Sequence, residues 1–193
     1  FNGDGIPMNK EEAAKYYKMS ADKGNIDAMN NYGIMLEKGD GIPMNKEEAA
    51  KYYKMSADKG NIYAMNNYGT MLFNGDGIPM NKEEAAKYYK MSADKGDMNA
   101  MYIYGIMLEK GDGIPMNKEE AAKYYKMSAS KGNIYAMNNY GTMLFKGDGI
   151  PMNKEEAAKY YKMSADKGNI YAMNNYGIML EKGDGIPMNK EEA

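Results

Sequence analysis

Six residue types are missing from this 193-residue chain: Cys, His, Trp, Arg, Val and Gln. Without Cys or His there is no thiolate or imidazole to hold zinc, an iron–sulfur cluster or haem. The same absence removes the side chains that most often serve as nucleophile or general base. No disulfide framework or redox motif can be read, so cysteine usage says nothing about compartment. Twenty-five Lys stand against 27 Asp and Glu, for a net charge of –2, and the two signs alternate along the chain. A nucleic-acid binder usually shows a basic face, often with Arg to reach phosphate or guanine. With no Arg and no basic block, that class is excluded at the level of composition. No apolar run approaches the roughly 20 residues that span a bilayer. These absences predict no catalytic residue, no cofactor, no metal, no nucleic-acid partner and no membrane span in this segment.

What is present is repetition. The string GDGIPMNKEEAAKYYKMS occurs at Gly3–Ser20, Gly39–Ser56, Gly75–Ser92, Gly111–Ser128 and Gly147–Ser164, and starts again at Gly183. The spacing is 36 residues throughout. A fixed period of this length marks a solenoid, whose units each fail to bury their apolar face alone. Both ends read as cuts through a longer array, with partial units and no polar capping repeat.

One period contains two helices. In NKEEAAKYYKMSADKG (45–60), Asn45 suits an N-cap and Glu48 stands at capping-box spacing. Glu47 and Glu48 fall in the first turn and Lys59 in the last, as the helix dipole favours. Glu47–Lys51 and Lys54–Asp58 are i,i+4 pairs. Ala49, Ala50, Tyr53 and Ala57 share one stripe, and Gly60 stops the helix in a left-handed conformation. This helix, type B, is predicted at about 10–23, 46–59, 82–95, 118–131 and 154–167. Asn61 then caps a second helix, NIYAMNNYGTMLFN. Ile62, Ala64, Met65, Tyr68, Gly69, Met71 and Leu72 form its inner half. Tyr63, Asn66, Asn67, Thr70, Phe73 and Asn74 lie on the outer half or its edge. This type A helix is predicted at about 26–38, 62–74, 98–110, 134–146 and 170–182. Its mid-helix Gly69 costs about 1 kcal/mol relative to Ala, a cost that close approach of a neighbouring helix would offset. Gly75-Asp76-Gly77-Ile78-Pro79 makes the turn into the next B helix. The fold class is all-α, an α–α superhelical solenoid of 36-residue helix-turn-helix repeats.

The spacing Ala64, Tyr68-Gly69, Leu72, Gly75, Gly77, Ala85-Ala86, Tyr89, Ala93, Gly96 resembles the Sel1-like repeat, a relative of the tetratricopeptide repeat. Tyr stands where that family usually has Leu, and Leu where it has Tyr. The resemblance covers essentially the whole chain. It implies a right-handed superhelix with A helices lining the concave side, and a scaffold role in protein–protein assembly. Some bacterial relatives are disulfide-stapled and penicillin-binding, a branch that the missing Cys disfavours.

Comparison of the chain with itself shows where the copies differ. On A helices the changes are Asp27/Tyr63/Asn99, Asn30/Tyr102, Asn31/Ile103, Ile34/Thr70, Glu37/Phe73 and Lys38/Asn74. All are expected on the exposed half or its edge, whereas the equally free outer face of helix B hardly varies. Drift after duplication and selection on the A face both fit. Thr70 goes with Phe73 and Thr142 with Phe145, while Ile34–Glu37, Ile106–Glu109 and Ile178–Glu181 alternate with them. Phe1 and Asn2 fit the Phe-type phase, so the array is built from a 72-residue double unit. Each Phe is free either to contact a ligand or to pack on the next A helix. The Asn pairs 30–31, 66–67, 138–139 and 174–175 form a ladder of carboxamides suited to the main chain of an extended peptide. Tyr102-Ile103 interrupts it, giving a candidate hydrophobic pocket flanked by Tyr63 and Tyr135. A single drifted copy would give the same pattern.

The candidate partner-binding residues are therefore Tyr63, Asn66, Asn67, Phe73, Asn99, Tyr102, Ile103, Tyr135, Asn138, Asn139 and Phe145, and the expected partner is a protein or peptide. The adjacent Glu47-Glu48 point about 100° apart on a helix, which suits capping rather than acid–base work. The Gly-x-Gly loops lack the strand and the Lys-Ser/Thr of a phosphate loop. Met29, Met35, Met44 and Met55 recur identically and are expected to fill the core. Two functions compete: a scaffold binding its partner on the A face, and a structural array that self-associates through uncapped ends or flat sides. The compartment is not legible.

Overall fold

The computed structural model describes residues 8–185; the readings at Phe1–Asn2 and at the sixth copy beyond Gly185 lie outside them. Among the described residues there are ten helices and no strand. They run α1 (Lys10–Asp22), α2 (Ile26–Lys38), α3 (Lys46–Asp58), α4 (Ile62–Asn74), α5 (Lys82–Asp94), α6 (Met98–Lys110), α7 (Lys118–Ser130), α8 (Ile134–Lys146), α9 (Lys154–Asp166) and α10 (Ile170–Lys182). Odd numbers are B helices and even numbers A helices. The chain divides into two compact units, residues 1–92 and 93–193. Within the first, α2 packs on α1 and α3, and α3 on α4; within the second, each helix from α6 to α10 packs on the next.

The helices start where the chemistry of their caps puts them. Asn45 Oδ1 accepts the Glu48 backbone N–H at 3.0 Å, and its Nδ2 donates to Glu48 Oε2 at 3.2 Å. The return bond of this capping box thus reaches the Asn side chain rather than its backbone. Asn61 accepts from Ala64 N at 2.9 Å and caps α4. Lys51–Glu47 and Lys54–Asp58 close at 2.9 and 2.6 Å. Helix B ends one residue sooner than expected: Lys59 is the C-cap, with its N–H on Ala57 O and Ser56 O, and is not part of the last turn. The left-handed glycine follows at Gly60, φ +102°.

The buried stripes interlock. Ala49, Ala50, Tyr53 and Ala57 are at most 2% exposed, as are Met65 and Met71. The buried serines are matched: Ser56 Oγ donates to Ile26 O at 2.6 Å, and Ser128 Oγ to Met98 O at 2.7 Å. The mid-helix glycine admits a tyrosine ring from the following B helix. A Cβ on Gly33 would lie 2.8 Å from the Tyr53 ring, and one on Gly105 2.8 Å from the Tyr125 ring. Successive loops are tied by Lys46–Asp76, Lys118–Asp148 and Lys154–Asp184 at 2.7–2.8 Å. Tyr32–Tyr52 and Tyr104–Tyr124 meet edge-on with centroids 4.8 Å apart.

The methionine expectation is half corrected. Met29 and Met35 are buried, but Met44 and Met55 are 63% and 46% exposed, and their copies behave alike. Met44 precedes the N-cap of α3 and points out of the hairpin, while Met55 sits on the wheel away from the Ala49–Ala57 stripe. The outer half of helix A is also less open than its polarity suggests. Asn30 is buried, and Asn66, Asn67, Thr70, Phe73, Tyr102 and Ile103 are half-buried.

Candidate functional site

The asparagine ladder is hydrogen-bonded to itself. Asn67 Nδ2 donates to Asn30 Oδ1 at 3.1 Å in the first unit, and Asn175 Nδ2 to Asn138 Oδ1 at 3.1 Å in the second. The carboxamides therefore knit successive A helices together as well as facing outward. Each keeps spare donor or acceptor capacity, because an Asn side chain offers two N–H and two lone pairs. Asn66 Oδ1 is buried and has no hydrogen-bond partner.

In the second unit these side chains line a groove of about 480 Å³. Tyr102 of α6 supplies one side, and Tyr135, Asn138 and Asn139 of α8 the floor. Asn169, the α10 N-cap, leads into Ile170, Tyr171, Asn174 and Asn175 opposite. The pieces arrive there by helix periodicity: 135, 138 and 139 are i, i+3 and i+4 on α8, as 171, 174 and 175 are on α10. Tyr102 lies between two other rings, 5.9 Å from Tyr125 and 6.0 Å from Tyr135. Burial raises its phenol pKa, and Asn139 as hydrogen-bond partner partly offsets the shift. Tyr135 and Tyr171 are exposed, 51% and 65%. Among the described residues no charged side chain lines this groove.

Four of the candidate residues, Tyr102, Tyr135, Asn138 and Asn139, are thus brought together. Phe145 lines a second cavity of about 210 Å³ with Thr142, Lys146, Tyr161, Asn175, Ile178 and Met179, and the Lys154 ammonium lies 5.3 Å over its ring. Asn99 is engaged by the α8 N-cap, accepting from Asn133 Nδ2 at 3.4 Å, as Asp27 accepts from Asn61 at 2.9 Å. Tyr63, Asn66, Asn67 and Phe73 belong to the first unit, where Tyr63 is exposed and Lys82 stands 4.9 Å over the Phe73 ring. Ile103 is half-buried and lines neither cavity. Asn174 and Asn175, read from the sequence as a rung of the ladder, line the groove too, and with them Tyr171, which the sequence reading did not single out. Their register, 36 residues after Tyr135, Asn138 and Asn139, was the available signal. Among the described residues no cluster of acidic side chains could hold a metal ion, and no helix is long and apolar enough to cross a membrane.

The ten helices of the described residues, paired in 36-residue hairpins that pack through glycine–tyrosine contacts within each unit, with a polar aromatic groove in the second, define a helical-repeat protein of the solenoid class. The Sel1 repeat model matches residues 1–25, 26–61, 62–97, 99–133, 134–169 and 170–193, and the chain belongs to the Sel1 repeat family. Members of this family generally act as scaffolds that bind other proteins, and the fold is typically non-enzymatic. A Sel1 repeat protein from Oxalobacter formigenes superposes with a TM-score of 0.87 at 30% identity, over 98% of this chain and 78% of that one. A protective antigen of uropathogenic Escherichia coli strains gives 0.89 at 27% identity, over 91% of this chain. The match spans 38% of the antigen's length. Helicobacter pylori cysteine-rich protein B shares the fold at a TM-score of 0.55 and 18% identity, over 69% of this chain and 97% of that one. No curated protein matches the sequence.

Proposed function

We propose that this chain is a non-enzymatic scaffold that binds an extended peptide or protein segment on its A-helix face, which the family superhelix would make concave. The groove of Tyr102, Tyr135, Asn138, Asn139, Tyr171, Asn174 and Asn175 is the site. The observation that supports this reading is the composition of its wall: three tyrosines and a run of carboxamides, without charge. Tyrosines offer large contact area at low rotamer cost, and carboxamides satisfy main-chain N–H and C=O together. Nucleic acid does not fit, because the groove has no cation to meet phosphate.

The test pairs Tyr135→Ala with Tyr171→Ala. Both side chains are exposed, so stability should move by less than about 0.5 kcal/mol. Tyr102 is left intact because its ring packs on buried Tyr125. A partner cross-linked to α8 or α10 of the wild type and lost in the double variant is the expected result. A partner retained by the double variant would move the site elsewhere.

The exposed methionines favour a second reading, a structural array. Met44, Met55, Met80 and Met91 of the first unit are 44–63% exposed and would suit flat apolar contacts between chains. Sedimentation across a range of concentrations separates the two: a scaffold stays monomeric without its partner, and an array does not.

A further inference from the structure

The groove does not stop at the asparagines. Asn175 lines both cavities, so the seam between α8 and α10 runs from Tyr135 and Tyr171 to Phe145 and Ile178. From Tyr135 to Phe145 is ten residues of helix, about 15 Å at ~1.5 Å each. An extended chain covers that distance in four to five residues at ~3.3 Å. Along this path the wall changes character. The first part is carboxamide and phenol, while the second is Phe145, Ile178, Met179 and the Tyr161 ring. At about 210 Å³ the second cavity is smaller than the ~300–1,000 Å³ of small-molecule sites and has room for one large side chain. Lys146 stands at its rim, exposed and the one charged residue in the lining, with no ion pair among the described residues.

We infer that the seam takes an extended peptide segment carrying one large apolar side chain, which seats against Phe145, Ile178 and Met179, beside an acidic residue that meets Lys146. The inference rests on the groove reading above and narrows it to a sequence class. It also gives the alternation of the copies a role. A Thr–Phe helix places an aromatic wall at this point, whereas an Ile–Glu helix sends a carboxylate there to the buried tyrosine.

The chain supplies its own control. Thr142→Ile with Phe145→Glu rewrites α8 as an Ile–Glu helix, and the introduced carboxylate can take the Tyr161 hydroxyl as Glu109 takes that of Tyr125 at 2.6 Å. Fold and melting should therefore survive while the aromatic wall is lost. Random short peptides displayed on phage are panned against the whole chain, and the enriched sequences are synthesised for fluorescence-anisotropy titration. The expected peptides share a Leu, Ile, Met or Phe with Asp or Glu nearby. They should bind the rewritten variant roughly tenfold more weakly or worse, as loss of a central anchor does. Lys146→Asn, which copies Asn74, should weaken them a few-fold in low salt and little in high salt.

Peptides without a fixed apolar position, or peptides that bind the rewritten variant unchanged yet are lost with Tyr135→Ala/Tyr171→Ala, would overturn the socket and leave the groove standing. No enrichment at all would overturn the groove reading and the socket together.

Discussion

Tyr53 donates its phenolic hydrogen to a carboxylate oxygen of Glu37 over 2.6 Å. One repeat later the same tyrosine, Tyr89, donates instead to the Thr70 hydroxyl over 3.0 Å. The second unit repeats the alternation with Tyr125–Glu109 at 2.6 Å and Tyr161–Thr142 at 3.0 Å. The 72-residue period is therefore an exchange of acceptors. The acceptor moves between two positions three residues apart on helix A, and its neighbour changes with it from Ile to Phe. Glu37→Phe alone should orphan a buried hydroxyl and destabilise the chain by about 1–3 kcal/mol. Adding Ile34→Thr should recover most of that. A double-mutant cycle by urea unfolding should give a coupling energy above about 1 kcal/mol; simple additivity would refute the exchange.

The mid-helix glycines are not equivalent. A Cβ on Gly105 would meet Tyr125 ring carbons at 2.8 and 2.9 Å, while one on Gly69 would stand 3.3 Å from the Tyr89 ring. Gly105→Ala should cost about 1–3 kcal/mol through overpacking, more than its helix-propensity gain of about 1 kcal/mol. Gly69→Ala should cost less, because the Tyr89 ring stands farther off and has less to yield. Thermal denaturation should show the larger loss for Gly105→Ala.

Alkali should unfold the protein through its tyrosines. Burial first, and then the hydrogen bond and charge of Asp58, push the Tyr88 phenol up to about 12. Burial and the Glu37 and Glu109 carboxylates raise Tyr53 and Tyr125 further. An unfolded phenol titrates near ~10, so the native state holds protons that the unfolded state has released. This stability is fully present below about pH 10 and is lost as pH rises through about 12. The melting temperature should be flat up to about pH 10 and fall above it. Lys54, raised chiefly by its hydrogen bond to Asp58, adds to the fall, so Tyr88→Phe is the informative comparison: it should make the fall shallower. An identical slope in that variant would assign the fall to other groups.

Limited peroxide treatment should divide the methionines by position rather than by sequence. Met44, Met55, Met116 and Met127, at 45–63% exposure, should be converted to sulfoxide in the native state. Met29, Met65, Met107 and Met143, at 1–2%, should resist until the chain is unfolded. Peptide mapping after a short pulse reads both groups in one experiment.

That division marks where the sequence was readable. The stripe Ala49, Ala50, Tyr53, Ala57 follows from a 3.6-residue period, and so do the caps at Asn45 and Asn61. Met55 lies about 140° from Ala50 on the same wheel, so its exposure was legible; treating identical recurrence as a sign of core confuses copying with burial. The glycine in each A helix announced a close neighbour but could not name it, because Tyr53 reaches Gly33 only once the hairpins stack. Coupled change at Ile34/Thr70 and Glu37/Phe73 was visible as a pattern. Its cause was not, since the hydroxyl that both acceptors serve sits on another helix, 16 or 19 residues away. In the groove, Tyr102 stood out by variation, and Tyr135 was named as its neighbour in the next copy. Asn174 and Asn175 were legible as a rung of the ladder, while Tyr171, identical to Tyr135, gave no contrast of its own.

The tyrosine of every B helix is the same, and both kinds of A helix provide an acceptor for it. Either kind can therefore precede any B helix without stranding a hydroxyl. A gene coding for such units tolerates slippage by one repeat, so copy number can change in a single recombination event and still yield a satisfied core. What such an event alters is the rhythm of Phe and Glu along the A face, which leaves length and surface free to evolve while the interior stays constant.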